Sequence, residues 1–437
     1  MLTRLRVLGF AVFLLAAVFL LAGCGIGNET DPVSLMREPL MPDGNQKLHS
    51  VITSQLAGNQ IVSPRDPEDT SSIRVGDLNN DGIEEAVLFY ETPEDENVRI
   101  HGMLLEKQNG TWVKKLTFNG AGLVLESFKL VDVTNDGSID IVAGFSRGEE
   151  DSENTLMVYS YTGSSLEIVW QMPYSHFVVD DNRQKPMDMN GDKVTDITII
   201  SFLRNEYFTV TTYQYNNGFR EIGRLDLESQ ISNVYNVAAG QVAKNTTGLI
   251  IDTMITQTAS VSNIIIMKGG RMQRLDLVDH TYRDAVILSE DVDKDGILEF
   301  GLLERPAGWE NADPAEVPFF VSFYQWDGEQ GTIFKLQQYR DNQNLFILNI
   351  PKDLHGKVTV DHNSDKNRYL RFVRIENNEV LAEIKFFPLS QWDNVSNGWE
   401  ELVRTSGQVV GIKESGAFKR KVGNMLNTAV EREESSE

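Results

Sequence analysis

Asp77-Leu78-Asn79-Asn80-Asp81-Gly82-Ile83-Glu84-Glu85 runs straight into the apolar stretch Ala86-Val87-Leu88-Phe89-Tyr90. The arrangement returns as Asp132-Val133-Thr134-Asn135-Asp136-Gly137-Ser138-Ile139-Asp140 and as Asp188-Met189-Asn190-Gly191-Asp192-Lys193-Val194-Thr195-Asp196. It returns once more as Asp291-Val292-Asp293-Lys294-Asp295-Gly296-Ile297-Leu298-Glu299. Each loop carries oxygen side chains at positions 1, 3, 5 and 9, and each is followed by residues suited to a buried strand.

The loops begin at 77, 132, 188 and 291, so the first two gaps are 55 and 56 residues and the last, 103, is about two units. The missing unit falls near 240, at Ala239-Gly240-Gln241-Val242-Ala243-Lys244-Asn245-Thr246-Thr247-Gly248-Leu249. There Gln241, Ala243, Asn245 and Leu249 occupy the four ligand positions, and Ile250-Ile251 follows. The stretch reads as a repeat that kept its scaffold and lost its metal ligands.

Inside a unit the pattern is strand-like. The first has Ile73–Gly76, the loop, Ala86–Tyr90, Val98–Leu105 and, beyond the Asn109-Gly110 turn, Trp112–Leu116. Four short β-rich runs per repeat predict a mainly β protein, a β-propeller of about five four-stranded blades spanning 70–342. A row of separate sandwiches is the weaker alternative, because one such unit has too little core to stand alone. Residues 343–412 carry no acidic loop and predict a small separate α+β domain, with Ser390 to Val403 partly helical. Residues 413–437 form a charged tail with an amphipathic pattern from Phe418 to Val430. Near the start, Leu48, Ile52 and Leu56 recur at helical spacing and predict one short helix over Lys47 to Ala57.

The loops have the chemistry of a calcium site. Calcium takes roughly six to eight hard oxygen ligands, and alternating acids on a tight turn supply them from one short segment. Positions 1, 3 and 5 point to a common centre, position 7 offers a backbone carbonyl, and position 9 closes the shell. An EF-hand is excluded. It needs a glutamate at position 12 and flanking helices, whereas Leu88, Ala143, Ile199 and Leu302 stand at position 12 within β-like runs.

These loops resemble the calcium loops of FG-GAP repeats (integrin α-type, also called VCBS), which form propeller blades. The resemblance covers roughly residues 70–342. It implies metal ligands at Asp77, Asn79, Asp81 and Glu85; at Asp132, Thr134, Asp136 and Asp140; at Asp188, Asn190, Asp192 and Asp196; and at Asp291, Asp293, Asp295 and Glu299. Thr134 departs from the usual Asp or Asn and makes the second site the expected weakest. Lys193 at position 6 is expected to alter the bend of the third loop. The four carboxylates of the fourth loop mark it as the expected strongest binder.

At the N-terminus, Arg4 and Arg6 precede an apolar run from Val7 to Leu20, and then comes Leu21-Ala22-Gly23-Cys24. This resembles the lipobox of bacterial lipoproteins. The resemblance implies a signal peptide over residues 1–23, cleavage before Cys24, and a diacylated Cys24 that anchors the chain to the cell membrane on its extracytoplasmic face. Residues 24–69 then hold the lipidated cysteine, a tether and the short helix. Together with the repeats and a GKVTV-type C-terminal segment, the lipobox resembles a group of Gram-positive lipoproteins. Cys24 is the sole cysteine, so no internal disulfide staples the fold.

A formal charge of −24 argues against nucleic acid and for cations as ligands. Six histidines (49, 101, 176, 280, 355 and 362) show no zinc-hydrolase spacing, and neither GxSxG nor a Walker loop occurs. The Trp residues at 112, 170, 309, 326, 392 and 399 fit blade packing better than a sugar groove. The leading functional expectation is a tethered binding or scaffold module for an envelope protein or glycan, with no catalytic residues. A carbohydrate-active enzyme with calcium-stabilised blades is the alternative.

Overall fold

The computed structural model describes residues 43–66, 71–92, 99–147, 154–181, 183–395, 398–414 and 426–428. The signal peptide, Cys24 and most of the tether lie outside the described residues. Two compact units are present, Met1–Ala57 and Gly58–Glu437. Within the first, a helix spans Asp43–Leu56, and Leu48, Ile52 and Leu56 are buried as their spacing predicts. No described helix is long and apolar enough to cross a membrane.

The described residues of Gly58–Glu437 form six antiparallel sheets in chain order. The first joins Gln60–Ile61 and Ile73–Gly76 to Glu85–Glu91, followed by Ile100–Gln108 and Thr111–Asn119. The second is Val124–Val131, Asp140–Ser146, Asn154–Tyr161 and Leu166–Tyr174. The third is His176–Val178, Asp196–Leu203, Tyr207–Tyr215 and Phe219–Asp226. The fourth is Asn233–Ala243, Thr246–Met254, Ser260–Lys268 and Arg271–Arg274. The fifth runs Phe300–Glu304, Phe320–Trp326, Thr332–Arg340, Phe346–Ile350, and its inner strand is reduced to one bridge between Glu290 and Glu299.

Successive sheets stack face to face, and residue alternation shows how. Leu249 and Ile251 pack toward the third sheet, while Ile250 between them packs toward the fifth. On the next strand Ile265 faces the third sheet, and Ile264 and Ile266 face the fifth. A strand buried on both faces must be apolar throughout, which is why the run after each loop lacks polar alternation. The first two sheets close on an aromatic cluster in which Phe89 meets Phe128 edge-on at 5.0 Å and Phe145 at 5.6 Å. This stacking of four-stranded sheets is a β-propeller.

Three tryptophans serve this packing: Trp170 stacks on Phe219 at 4.4 Å across the second and third sheets, and Trp326 and Trp309 lie in the cores the fifth sheet shares with its neighbours. Trp392 and Trp399 pack on Phe387 of the sixth sheet, and Trp112 is buried.

The C-terminal expectation needs correction. Phe346–Ile350 is not the start of a separate domain but hydrogen-bonds to Thr332–Arg340 of the fifth sheet. The sixth sheet, ordered Val358–Val360, Tyr369–Arg374, Val380–Pro388, Gln408–Glu414, Glu400–Arg404, shares one core with the fifth through Phe320, Tyr339, Phe346 and Phe372. The apolar faces on either side of residue 343 complete each other. Among the described residues there, helix is confined to Leu389–Val395 and the short turn Lys352–Leu354. Within the expected tail helix, Leu426–Thr428 is instead a strand paired with Phe346–Leu348, and the rest of 418–430 lies outside the described residues.

Ile250 is fully buried between two sheets. Ile250→Ala is expected to cost about 2–5 kcal/mol, the range for a large-to-small change in a packed core. Denaturant unfolding in saturating calcium reads this as a lowered midpoint with an unchanged slope.

Candidate metal centres and central cavity

Each acidic loop joins the inner segment of a sheet to its second strand, and all four close through the same three bonds from backbone amides to side-chain carboxylates. The position-6 amide donates to the position-1 aspartate: Gly82 to Asp77 at 2.8 Å, Gly137 to Asp132 at 3.0 Å, Lys193 to Asp188 at 2.9 Å and Gly296 to Asp291 at 2.8 Å. The position-7 amide donates to the position-5 aspartate, from Ile83, Ser138, Val194 and Ile297, at 2.8–2.9 Å. The position-2 amide donates to the position-9 acid: Leu78 to Glu85, Val133 to Asp140, Met189 to Asp196 and Val292 to Glu299, again at 2.8–2.9 Å.

Two left-handed residues make the turn. Position 4 has φ of 56° at Asn80 and Asn135, 79° at Gly191 and 59° at Lys294. Position 6 has φ of 83° at Gly82, 90° at Gly137 and Gly296, and 69° at Lys193. Lys193 therefore does not alter the bend. It adopts the left-handed conformation and donates the same bond, accepting the strain that a Cβ brings there.

Glu85, Asp132, Asp140 and Asp291 each fix the loop with one oxygen and leave the other unpartnered. Among the buried side-chain oxygens with no hydrogen-bond partner are Asn79 Oδ1, Glu85 Oε1, Asp132 Oδ1, Asp140 Oδ1 and Asp291 Oδ1, all at expected ligand positions. A buried unpartnered carboxylate oxygen is costly, and a bound cation removes that cost. The residues thus fit a hard cation. In the fourth loop Asp291, Asp293, Asp295 and Glu299 bring one oxygen each within 4.8 Å of one another, a cluster able to hold a metal ion.

Burial dominates the electrostatics. Glu85, Asp140, Asp196 and Glu299, the four position-9 acids, are wholly buried. Burial pushes Glu85 up to about 7, Asp140 to about 6, Asp196 to about 7 and Glu299 to about 8. In the second loop the Thr134 hydroxyl donates to Asp140 Oδ2 at 3.0 Å, so this side chain spends its proton on a neighbouring ligand.

The sequence reading missed the third strand. Gln214 donates to Asp196 at 3.2 Å and to Asp192 at 2.9 Å; Gln325 donates to Glu299 at 2.5 Å and to Asp295 at 3.1 Å. In the first sheet Glu106 stands directly across from Glu85. These residues lie some twenty positions downstream, where only strand register reveals them. At the degenerate repeat, the loop is gone: Asn233–Ala243 and Thr246–Met254 are joined by a tight turn with Asn245 at φ 59°. Gln241, Ala243, Asn245 and Leu249 form no ligand cluster among the described residues. His355 and His362 are likewise apart in role, His355 stacked on Phe334 at 3.7 Å and His362 on Trp309 at 5.4 Å.

The inner segments converge on a cavity of about 290 Å³. Lys129 of the second sheet, Asp180 and Asp181 after the third sheet's inner strand, Asn236 of the fourth, and Glu290 and Asp291 at the fourth acidic loop all line it. Lys129 pairs with Asp180 at 3.5 Å and Arg340 with Glu290 at 3.2 Å. Asp291 belongs to both features, so the cavity wall and the fourth loop share a side chain.

No family model matches the chain, and no curated protein matches it. Among solved structures it is similar to Sqt1 of Chaetomium thermophilum, at 12% identity and a TM-score of 0.33 over 80% of this chain and 95% of that one. It is similar to the rhamnogalacturonan lyase PL11 of Bacillus licheniformis, at 10% identity and a TM-score of 0.29 over 74% and 88%. It is also similar to the β-propeller domain of the Trilobed protease of Pyrococcus furiosus, at 10% identity and a TM-score of 0.28 over 72% and 82%. Likenesses this distant carry no argument about chemistry.

The raised carboxylates give a pH signature. The folded metal-free chain holds protons on these acids from their ordinary values of 3.8–4.5 up to their raised values, about 6 for Asp140, about 7 for Glu85 and Asp196 and about 8 for Glu299, where the unfolded chain has lost them. Its stability is therefore expected to fall as pH rises through that window, and calcium to restore the loss. Thermal melts in EDTA and in calcium, from pH 5 to about 8.5, test this. Equal pH dependence in both conditions would refute it.

Proposed function

We propose that this chain is a calcium-stabilised propeller that works as a membrane-tethered binding or scaffold module outside the cytoplasm, anchored through lipid on Cys24. One observation carries the calcium reading: buried oxygens of Asn79, Glu85, Asp132, Asp140 and Asp291 lack hydrogen-bond partners in loops of one shared geometry. Calcium suits them because every donor is a hard oxygen, with neither nitrogen nor sulfur in the shell. Millimolar calcium outside a cell fills even weak sites of this kind.

The binding role draws support from the cavity. Two of its acids, Asp180 and Glu290, are held in ion pairs with Lys129 and Arg340, an arrangement suited to recognition more than to proton transfer. The partner class is an envelope protein or glycan. A carbohydrate-active enzyme stays the second reading on the sequence grounds above, with no residue of the cavity assigned to it.

Removal of calcium from the folded chain by EDTA is expected to lower the melting temperature by several degrees or more, reversibly. Expression of the chain with Cys24→Ser is expected to move it from the membrane fraction to the soluble exported fraction and to abolish incorporation of labelled palmitate. An EDTA-insensitive melt would overturn the calcium reading, and unchanged membrane partition would overturn the lipid anchor.

A further inference from the structure

Each of the four loop-bearing sheets has one bulge between its third and outer strands. The extra residue is Lys115 in the first sheet, Val169 in the second, Ile222 in the third and Lys335 in the fifth. Two residues beyond the bulge, on the third strand, stand Glu106, Ser160, Gln214 and Gln325 respectively. A bulge re-aims its extra side chain, and two of the four carry an amine.

The two amines have different partners. Lys115 Nζ meets Glu106 at 2.9 Å, so an added carboxylate next to the loop satisfies it. Glu85 Oε1 and Asn79 Oδ1 of that loop stay unpartnered. In the fifth sheet Gln325 stands where Glu106 would, and a neutral amide cannot balance an ammonium. Lys335 Nζ instead lies 3.2 Å from Asp293 Oδ2 and in direct contact with Asp295 Oδ2. These are positions 3 and 5 of the loop, two of the four acids whose oxygens converge. Lys335 is only 13% exposed, so solvent screens this attraction weakly.

We propose that Lys335 is a built-in counter-cation of the fourth loop, so that this loop takes a divalent ion only by displacing the ammonium and is the weakest of the four sites. The proposal rests on the loops being calcium sites. It reverses the ranking that counting carboxylates suggests, because Lys335 offsets one of the four acids and Arg183, 3.9 Å from Asp291 Oδ2, offsets a second, leaving less charge than the three acids of each other loop. The choice of Gln325 over an acid is what turns Lys335 inward.

Calorimetric titration of the full chain with calcium tests this, comparing wild type with Lys335→Met, Lys335→Arg and Gln325→Glu. The wild type is expected to show one site weaker than the rest. Lys335→Met is expected to tighten that site by at least about tenfold, since a unit charge a few ångströms away is removed in a poorly screened setting. Gln325→Glu is expected to tighten it as well, by giving Lys335 the partner Lys115 has. Lys335→Arg keeps the cation and is expected to leave the site weak, which separates charge from packing. Calcium binding that Lys335→Met leaves unaltered would overturn the proposal, whatever Gln325→Glu does, and leave the calcium reading standing. Absence of calcium uptake in every variant would overturn both.

Discussion

The bond on which this structure depends is the one from the position-2 amide to the buried carboxylate at position 9. It ties the start of each acidic loop to the residue that opens or immediately precedes the following strand, at 2.8–2.9 Å in every case. The carboxylate must be inside to make it, and a lone charge inside is unfavourable unless a proton or a cation accompanies it. Fold and cation are therefore one problem. The loop geometry that sets each inner segment against its second strand is the geometry that presents oxygens to an ion.

The degenerate repeat shows what replaces that solution. With no acids available, its first two strands meet through a tight turn, and the sheet is tied to the following segment by a buried ion pair instead. Arg283 lies 3.2 Å from Asp252, both almost wholly buried, and Asp252 also accepts from the Ser289 amide and from Asn236. Further hydrogen bonds support the pair: Arg283 donates to Tyr235, Ser262 and the Ile287 carbonyl, and its Nε is left without a partner. The segment it fixes leads directly into the fourth acidic loop. A sheet without an acidic loop thus helps to position one that has it.

Much of this was legible in the chain. Four loops at regular spacing gave the blades, their acids gave the side chains that close each loop, and the doubled gap before 291 located a repeat without the loop. Local sequence sufficed because each loop is closed by bonds within nine residues. The error at Lys193 had a local cause too. Glycine is the easy residue at a left-handed position, yet the three closing bonds hold a lysine there at φ 69°.

The sequence by itself determined the repeat, the turn chemistry and the loop acids, since these are set by near neighbours and by the periodicity of burial. Tertiary structure alone decided which residues look into each loop from the third and outer strands, and that the segment after 343 completes the fifth sheet. Lys335 lies 40 residues from Asp295, and a one-residue shift at its bulge would turn it to the other face of the sheet. Strand register is fixed by the fit of whole faces against neighbouring sheets. That fit belongs to no single stretch of chain.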